Sequence, residues 1–285
     1  MFSFYQTAGV AYLIIGGLFY FASVFNSLRC LVLCSITDPG ILPKIPSSDV
    51  NYNRNYHVAY RDIDEIQQDE NKSIGANFFT LRQVKEFKGN ENDAEETLSL
   101  CHSCNIFRPP RAFHCSSCGV CVEVHDHHCP WVGTCVGRRN IRYFIAFLFW
   151  TGVHGLITFI FCLIYIMVKK GEGVEISLSS FGGGDATTEV GVNLGCLCYG
   201  GIFAVTLLGF SCYTNSLTLQ NITSNENLRK KWNSRRTRQG EKLSPLKVSF
   251  CEKLRYFYWE PLPESRIETY YKILDQAGIS PAEAE

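Results

Sequence analysis

Thiol and imidazole side chains are concentrated in one short stretch of this chain. Seven of the 14 cysteines lie between Cys101 and Cys135, where they are interleaved with histidines. Cys-x2-Cys pairs with further Cys and His at close spacing are typical of tetrahedral zinc sites. A disulfide framework needs no histidines, so the pattern indicates zinc in a reducing compartment. We call residues 98–142 the zinc module.

The module offers more candidate ligands than two zinc ions need. Two tetrahedral sites take eight thiolate or imidazole ligands. The candidates are Cys101, Cys104, Cys115, Cys118, Cys121, Cys129, Cys135, His102, His114, His125, His127 and His128. Some of them must therefore remain free of metal. Spacing alone does not decide which, because sequential and interleaved pairings are both open, and we identify no internal repeat.

Three apolar stretches must anchor this module. Each is long enough to cross a bilayer, for which about 20 residues suffice. The first runs from Thr7 to Ile36 and is stopped by Asp38-Pro39-Gly40, since proline cannot continue a helix and glycine opens a turn. The predicted divisions are 1–40 (first span), 41–97 (polar linker), 98–142 (zinc module), 143–168 (second span), 169–189 (loop), 190–214 (third span) and 215–285 (tail).

The distribution of charge predicts the orientation of these spans. Ten Lys or Arg lie between Arg229 and Arg255, whereas acidic residues outnumber basic ones in the loop 169–189. The positive-inside rule therefore places the zinc module and the tail in the cytosol and the loop in the lumen or outside the cell. With 27 basic and 27 acidic residues in all, bulk charge indicates no nucleic-acid partner.

The motifs of the chain resemble those of one known family. Asp126-His127-His128-Cys129, followed by Pro130-Trp131, resembles the signature of the DHHC family of palmitoyltransferases. Asp38-Pro39-Gly40 is similar to the family's Asp-Pro-Gly motif. Thr223-Ser224-Asn225-Glu226 resembles its Thr-Thr-x-Glu motif, with serine in the second place. Most members carry two spans before Asp-Pro-Gly and this chain has one, so an N-terminally shortened member is also considered.

The resemblance implies a ligand set for each zinc and a free thiol. The first set is Cys101, Cys104, His114 and Cys121, and the second is Cys115, Cys118, His128 and Cys135. Cys129 is then the one cysteine of the module without metal. The implied fold is a membrane α-helical bundle of three spans with a small cytosolic module of short β-strands that binds two zinc ions.

The residues beside Cys129 suit nucleophilic chemistry. A thiol reacts as its thiolate, and a free cysteine with a pKa of about 8.5 is mostly protonated at neutral pH. A neighbouring imidazole can take the proton, and a carboxylate can orient that imidazole. We therefore expect Cys129 to be the nucleophile, His127 the base and Asp126 the orienting group.

Chain length places this thiol near a membrane. Eight positions separate Cys135 from Tyr143, where the second span is predicted to begin, so at most about 27 Å of extended chain intervenes. Trp131 is of the type that rests at a bilayer interface. An amphiphilic donor fits this location, and the resemblance implies acyl-CoA, with palmitoyl-CoA as the usual form.

Other residues are candidates for binding that donor. Phe144, Phe147 and His154 share one helical face and are expected to lie along the acyl chain, with His154 near its closed end. Ordinary helix packing is the alternative for the two phenylalanines. Arg108 and Arg111 could hold CoA phosphates, or form a basic surface that faces anionic lipid.

The predicted function is transfer of a long-chain acyl group to Cys129 and then to membrane-proximal cytosolic cysteines of substrate proteins. The partners would be acyl-CoA, these substrates and the bilayer of the Golgi, endoplasmic reticulum or plasma membrane. The main alternative is a membrane-anchored zinc scaffold without catalysis, and a membrane E3-type zinc protein fits the ligand spacing less well.

Overall fold

The computed structural model of the chain describes residues 2–44, 100–108, 111–172, 186–220, 222–229, 254–255, 258–259 and 261–276. Most of the predicted linker 41–97, most of the loop 169–189 and much of the tail 215–285 lie outside these residues. The chain divides into two compact units. We call residues 1–32 and 143–215 the helical unit, and residues 33–142 and 216–285 the zinc unit.

Three long apolar helices confirm the three predicted spans. They are α1 (Phe2–Ile36), α2 (Ile141–Gly171) and α3 (Ala186–Leu219). The segments Ile14–Ile36, Ile141–Gly171 and Val190–Leu219 are long and apolar enough to cross a membrane. Large apolar side chains on these helices are exposed, as expected of surfaces that face lipid. The hydropathy-based limits 143–168 and 190–214 were shorter, because the helices continue through polar residues such as Lys169.

Within the helical unit, α2 and α3 approach each other at glycines. A β-carbon added to Gly200 would lie 2.9 Å from the carbonyl oxygen of Gly155. One added to Gly152 would lie 2.7 Å from the side chain of Leu208. Small residues allow helix backbones to come this close inside a membrane, where van der Waals contact replaces the hydrophobic effect.

The zinc unit is built from short strands and two further helices. The strands are β1 (Ile41–Leu42), β2 (Leu100–Cys101), β3 (Ile106–Phe107), β4 (Phe113–Cys115), β5 (Val120–Val122), β6 (His127–Cys129) and β7 (Thr134–Val136). The helices are α4 (Ser224–Leu228) and α5 (Arg266–Gln276). β2–β3, β4–β5 and β6–β7 form antiparallel hairpins, and β1 joins β5 to give the order β1-β5-β4. This confirms the predicted module of short strands.

The three hairpins repeat one another at a period of 14 residues. The facing pairs Cys101 and Ile106, Cys115 and Val120, and Cys129 and Thr134 hold the same place in their ladders. Each hairpin turns through a left-handed residue at the equivalent position: Asn105 (φ 52°), Gly119 (φ 69°) and Gly133 (φ 75°). The interpretation that the chain has no internal repeat was therefore wrong for this module.

Asp38 follows the end of α1 and forms polar contacts within the zinc unit. Its Oδ1 accepts the backbone N–H groups of Gly40 and Ile41 at 2.9 and 2.8 Å, which forms the turn that leads into β1. Gly40 has φ +106°, a conformation that side chains rarely adopt. Oδ2 of Asp38 accepts Arg139 Nη1 at 2.7 Å and Ser265 Oγ at 2.6 Å. The Asp-Pro-Gly motif is thus both a turn and an anchor for the C-terminal segment.

Glu123 forms a second polar junction in the same unit. Its Oε1 accepts Arg138 Nη1 at 2.9 Å and Arg266 Nη2 at 3.4 Å, and all three side chains are buried. Its backbone N–H donates to the carbonyl oxygen of Gly40 at 2.7 Å. A buried carboxylate is tolerated only when it is paired in this way. Glu123 therefore ties β1, the segment before α2 and the start of α5 to the segment that precedes Asp126.

Candidate catalytic and zinc sites

The first predicted zinc set comes together in the structure. His114 Nδ1 lies 3.4 Å from Cys101 Sγ, 3.3 Å from Cys104 Sγ and 3.8 Å from Cys121 Sγ. A tetrahedral zinc with Zn–S of about 2.3 Å and Zn–N of about 2.0 Å separates the nitrogen from each sulfur by about 3.5 Å. The four ligand atoms all lie within 4.8 Å of one another. The geometry fits one zinc ion.

The second predicted set has the same geometry. His128 Nδ1 lies 3.6 Å from Cys115 Sγ, 3.3 Å from Cys118 Sγ and 3.8 Å from Cys135 Sγ. Each ligand of this set stands 14 residues after its counterpart in the first set. Two copies of one hairpin design therefore hold the two sites.

Strand register selects these ligands from the twelve candidates. His114 faces Cys121 across β4–β5, and His128 faces Cys135 across β6–β7. β4 also carries Cys115, so this strand supplies one ligand to each site. The pairing is thus interleaved along the chain, which spacing alone had left open.

The buried thiols need a cation. Burial, together with the neighbouring thiols, raises the pKa of Cys121 and of Cys135 far above the ordinary value. Without a metal these side chains would therefore stay protonated. Zinc supplies the positive charge that holds a buried thiol as its thiolate. The donor sets and their environment fit two structural zinc ions.

Cys129 stands at the end of β6 and belongs to neither set. Its side chain is buried, and its backbone carbonyl accepts the N–H groups of Val132 and Gly133 at 3.2 and 2.9 Å. His127, on the same strand, is hydrogen-bonded to the thiol. The structure thus places one unligated thiol beside one imidazole.

Asp126 holds His127 in a defined orientation. Its Oδ2 lies 2.7 Å from His127 Nδ1, and its Oδ1 accepts the backbone N–H of Ser224 at 2.5 Å. An ionised carboxylate only accepts, so Nδ1 carries the proton and Nε2 is the ring nitrogen that can serve the thiol. The carboxylate is 1% exposed, which keeps water from competing for these bonds.

The environment favours an imidazolium–thiolate pair. Burial opposes a charged ring, but the hydrogen bonds to Asp126 and Cys129 raise the pKa of His127 to about 9. For Cys129, burial by itself would raise the pKa, because it disfavours the charged thiolate. The hydrogen bond from His127 and the backbone N–H groups of the following turn outweigh it and lower that pKa. The arrangement therefore keeps the sulfur in its nucleophilic form.

The Thr223–Glu226 segment contacts this site through the backbone N–H of Ser224, which donates to Asp126. It begins α4 with a capping box, in which Thr223 Oγ1 accepts the N–H of Glu226 and the Glu226 side chain accepts the N–H of Thr223. The same carboxylate forms two bonds of 2.9 Å with Arg111. Sequence reasoning found the motif by resemblance only, although Thr-x-x-Glu is itself a readable capping signal.

Arg111, a predicted CoA contact, is bonded to Glu226 in the structure. Its side chain is 1% exposed, and its Nε and Nη2 atoms donate to the Glu226 carboxylate at 2.9 Å. A fork-shaped guanidinium occupied by a carboxylate offers no exposed face to a phosphate. Arg108 is partly exposed and its guanidinium lies 5.8 Å from the centre of the Phe113 ring. Arg108 is therefore the more accessible of the two predicted CoA contacts.

Asn140 is a site residue that sequence reasoning missed. It is fully buried, its Oδ1 accepts the N–H of Gly137 at 2.9 Å, and its Nδ2 donates to the carbonyls of Cys34 and Cys135 at 3.1 and 2.9 Å. It thus fixes the zinc ligand Cys135 to the end of α1. Nothing in local spacing signals this role, because Cys34 lies 106 residues away.

Two of the remaining zinc candidates stand outside both sets. His102 is exposed. His125 lies against Phe113, with ring centres 6.3 Å apart, and neither ring nitrogen has a hydrogen-bond partner among the described residues. Burial lowers its pKa to about 4, so the ring is neutral and packs as an aromatic group.

The predicted acyl-chain residues lie on α2 in the helical unit. Phe144 is buried and packs edge-to-face on Phe210, with ring centres 6.2 Å apart. Phe147 is partly exposed. His154 Nδ1 lies 3.3 Å from Ser23 Oγ on α1. His154 thus faces another helix of its unit, as expected of a polar residue within a span.

Comparison with known proteins agrees with the geometry. Residues 94–231 match the family model for the DHHC palmitoyltransferase. The chain is 33% identical over 224 residues to palmitoyltransferase ZDHHC18-A of Danio rerio, which covers 78% of this chain and 42% of the relative. It is 36% identical over 160 residues to palmitoyltransferase ERF2 of Candida glabrata, and these residues are 56% of this chain and 42% of the relative.

A third relative covers more of the chain. Palmitoyltransferase ZDHHC9 of Bos taurus is 30% identical over 259 residues, which are 90% of this chain and 62% of the relative. The chain therefore spans about half of the length of the curated relatives it matches. The matched segment contains both zinc sets, the Asp-His-His-Cys strand and the capping segment of α4. The chain belongs to the DHHC family of palmitoyltransferases.

Proposed function

We propose that the chain is a protein S-acyltransferase that moves a long-chain acyl group, with palmitoyl as the usual one, from acyl-CoA through Cys129 to cysteines of other proteins. The observation that carries this proposal is the metal-free thiol of Cys129, hydrogen-bonded to His127 and backed by Asp126. The names of the relatives support the same activity.

In the first step the Cys129 thiolate attacks the thioester carbonyl of acyl-CoA. A bond forms between the sulfur and the acyl carbon, and the bond from that carbon to the CoA sulfur breaks. The departing CoA thiolate takes the proton of the His127 imidazolium. Asp126 steadies the positive ring before the transfer and orients the neutral ring after it.

In the second step a substrate cysteine replaces CoA. Its thiol gives a proton to neutral His127, and the resulting thiolate attacks the acyl group on Cys129. The Cys129 thiolate leaves beside the imidazolium, which restores the starting pair. One thioester is exchanged for another in each step, so the reaction needs no external energy source.

The spacing of the chain supports a location at the bilayer surface. α2 begins at Ile141, six positions after the zinc ligand Cys135. Trp131 follows the nucleophile by two residues and is 85% exposed, as suits an interfacial side chain. A donor with its tail in lipid and its head group in water would meet Cys129 there, and so would membrane-proximal cysteines of substrate proteins.

We infer further roles for the helical unit and for Arg108. The acyl tail would lie along the face of α2 that carries Phe144, Phe147 and His154, and His154 would set the preferred chain length. Arg108 would hold a CoA phosphate. The basic tail supports a cytosolic zinc module. The membrane would be that of the Golgi, the endoplasmic reticulum or the plasma membrane.

The test is incubation of the full-length chain with palmitoyl-CoA that carries a clickable tail. The wild type should acquire a label that hydroxylamine removes, because the acyl group is held as a thioester. Cys129→Ser should remove the label while two zinc ions per chain remain. His127→Ala should slow labelling by about 10²–10⁴-fold, the usual contribution of a general base.

Cys212→Ser is the matched control, since this cysteine is an exposed one on α3. It should label as the wild type does. A zinc-loaded wild type that acquires no label would favour the zinc scaffold without catalysis. Equal labelling of Cys129→Ser and wild type would disprove the nucleophile. An unchanged acyl-CoA profile in His154→Ala would remove the chain-length role.

A further inference from the structure

The hairpin that carries Cys129 is a third copy of the two zinc-binding hairpins. In each copy a cysteine ends the first strand, and a left-handed residue follows four positions later. The equivalent positions are Cys101, Cys115 and Cys129 for the cysteine, Cys104, Cys118 and Val132 for the third residue after it, and Asn105, Gly119 and Gly133 for the left-handed residue. Cys129 therefore occupies the place of the first zinc ligand of a Cys-x2-Cys turn.

The turn bonds are also the same in the three copies. In each, the backbone N–H groups of the second and third residues after the cysteine point at its sulfur. These donors are Ser103 and Cys104, Ser117 and Cys118, and Trp131 and Val132. The N–H of the left-handed residue bonds to the cysteine carbonyl at 2.8 Å in the second copy and 2.9 Å in the third. The third turn is thus shaped for a metal-bound thiolate.

The third copy lacks the other three ligands of a zinc set. Its second thiol is replaced by Val132, which is buried. The positions 14 residues after His128 and Cys135 are Arg142 and Phe149, neither of which binds zinc. One imidazole is nevertheless present, because His127 is hydrogen-bonded to Cys129. A thiol at position 132 would complete a set of two thiolates and one imidazole, which suffices for a zinc ion that keeps one open position.

We propose that Val132 keeps the nucleophile free of metal, and that the catalytic hairpin is a zinc-binding turn whose second thiol is replaced by an apolar side chain. Cys129 with His127 alone offers two ligands, which hold zinc far more weakly than three or four. The hairpin thus retains the N–H groups that stabilise a thiolate without the cation that would block it. Val132 is in this sense a specificity-determining residue that excludes zinc.

The test is Val132→Cys in the full-length chain, with Val132→Ser as the matched control because serine has the shape of cysteine and no thiol. Both proteins are purified and measured with a phosphine reductant, so that no disulfide forms between positions 129 and 132. Zinc per chain is measured by mass spectrometry of the metal. Alkylation of Cys129 by iodoacetamide is followed by peptide mass spectrometry, and labelling by clickable palmitoyl-CoA is measured in parallel.

Val132→Cys should carry three zinc ions where Val132→Ser carries two, one for each set. Cys129 should become resistant to alkylation by at least about tenfold, as expected of a zinc-bound thiolate, and labelling should fall by a similar factor. Adding Cys129→Ser to Val132→Cys should return the count to two zinc ions per chain.

Two zinc ions and normal alkylation of Cys129 in Val132→Cys would overturn the proposal. So would fewer than two, since a properly formed third turn takes no ligand from the other sets. Labelling is the one readout that rests on the proposed function. If the wild type does not label at all, the acyltransferase proposal fails, while zinc content and alkylation still decide the role of Val132.

Discussion

The zinc unit and the helical unit are stabilised by opposite means. The zinc unit buries charged groups, among them Glu123, Asp126 and Glu226, and each has at least one partner in a sequence-distant segment. The helical unit is held by close backbone contacts such as that between Gly155 and Gly200. Strands of two or three residues have almost no core of their own, so specific ligands and ion pairs must supply the order.

The two units should therefore differ in how well they tolerate substitution. A buried carboxylate that loses its partner leaves an uncompensated charge, so single substitutions in the zinc unit should be severe. A helix contact spreads over many weak contacts, so a single substitution there should cost less. Loss of a zinc ligand or of a buried ion pair should therefore cost more stability than a change in a helix contact.

Removal of a zinc ligand should have the largest effect. Cys101→Ala should lose zinc from the first set and unfold the zinc unit, since zinc contributes on the order of 10 kcal/mol to folding of small metal-dependent domains. Zinc content, circular dichroism and acyl labelling should all fall. Cys198→Ala, at an exposed cysteine of α3, should change none of them. A folded, active Cys101→Ala protein would contradict the zinc assignment.

The pair of Arg111 and Glu226 should give the next largest effect. The two side chains are only 1% and 6% exposed, so Arg111→Ala leaves a buried carboxylate unpaired and should cost about 3–5 kcal/mol of stability. Thermal unfolding measures this loss of stability. Arg229→Ala is the control. Its guanidinium is exposed and lies 4.4 Å from the centre of the Phe113 ring, so its removal should cost much less stability.

A double-mutant cycle sharpens that result. If the pair acts as a unit, Arg111→Ala combined with Glu226→Ala should cost much less than the sum of the two single changes. Additive costs would show that each side chain acts through other contacts, and the capping box of α4 would then be the main role of Glu226.

A glycine substitution in the helical unit should have a smaller effect. A β-carbon at Gly200 would meet the carbonyl oxygen of Gly155 at 2.9 Å, so Gly200→Ala should separate α2 from α3 and cost about 1–3 kcal/mol. Gly209→Ala, on the same helix with nothing within 4 Å, should be neutral or stabilising by up to about 1 kcal/mol. Thermal unfolding at unchanged zinc content compares the two. Equal effects would contradict close packing.

The sequence predicted best what is local or periodic. Three apolar runs gave the three helices, and the Cys/His spacing gave two zinc sites. The choice of ligands came from family resemblance, because only strand register, such as His114 opposite Cys121, selects among twelve candidates. The 14-residue repeat was present in the sequence but was missed. Its first two copies share all four zinc ligands, whereas the third replaces the second cysteine by Val132.

The sequence could not predict contacts between distant segments. Arg111 bonds to Glu226, which is 115 residues away, and spacing gave no sign of this pair. Asn140 and Glu123 are of the same kind, since each joins segments that have no shared pattern. Such residues become visible only when the backbone shows which polar groups would otherwise be buried alone.

The smallest effect is expected where a buried carboxylate keeps one partner. Arg266 is the second cation on Glu123, at 3.4 Å, while Arg138 remains at 2.9 Å. Arg266→Ala should therefore cost only about 1–2 kcal/mol, the range of a hydrogen bond to a charged group, and leave zinc content unchanged. Lys272→Ala on the same helix, whose pair with Glu264 is exposed and 4.0 Å apart, should stay within about 0.5 kcal/mol. Thermal unfolding ranks the two, and a loss in Arg266→Ala as large as in Arg111→Ala would mean that Arg138 alone does not neutralise Glu123.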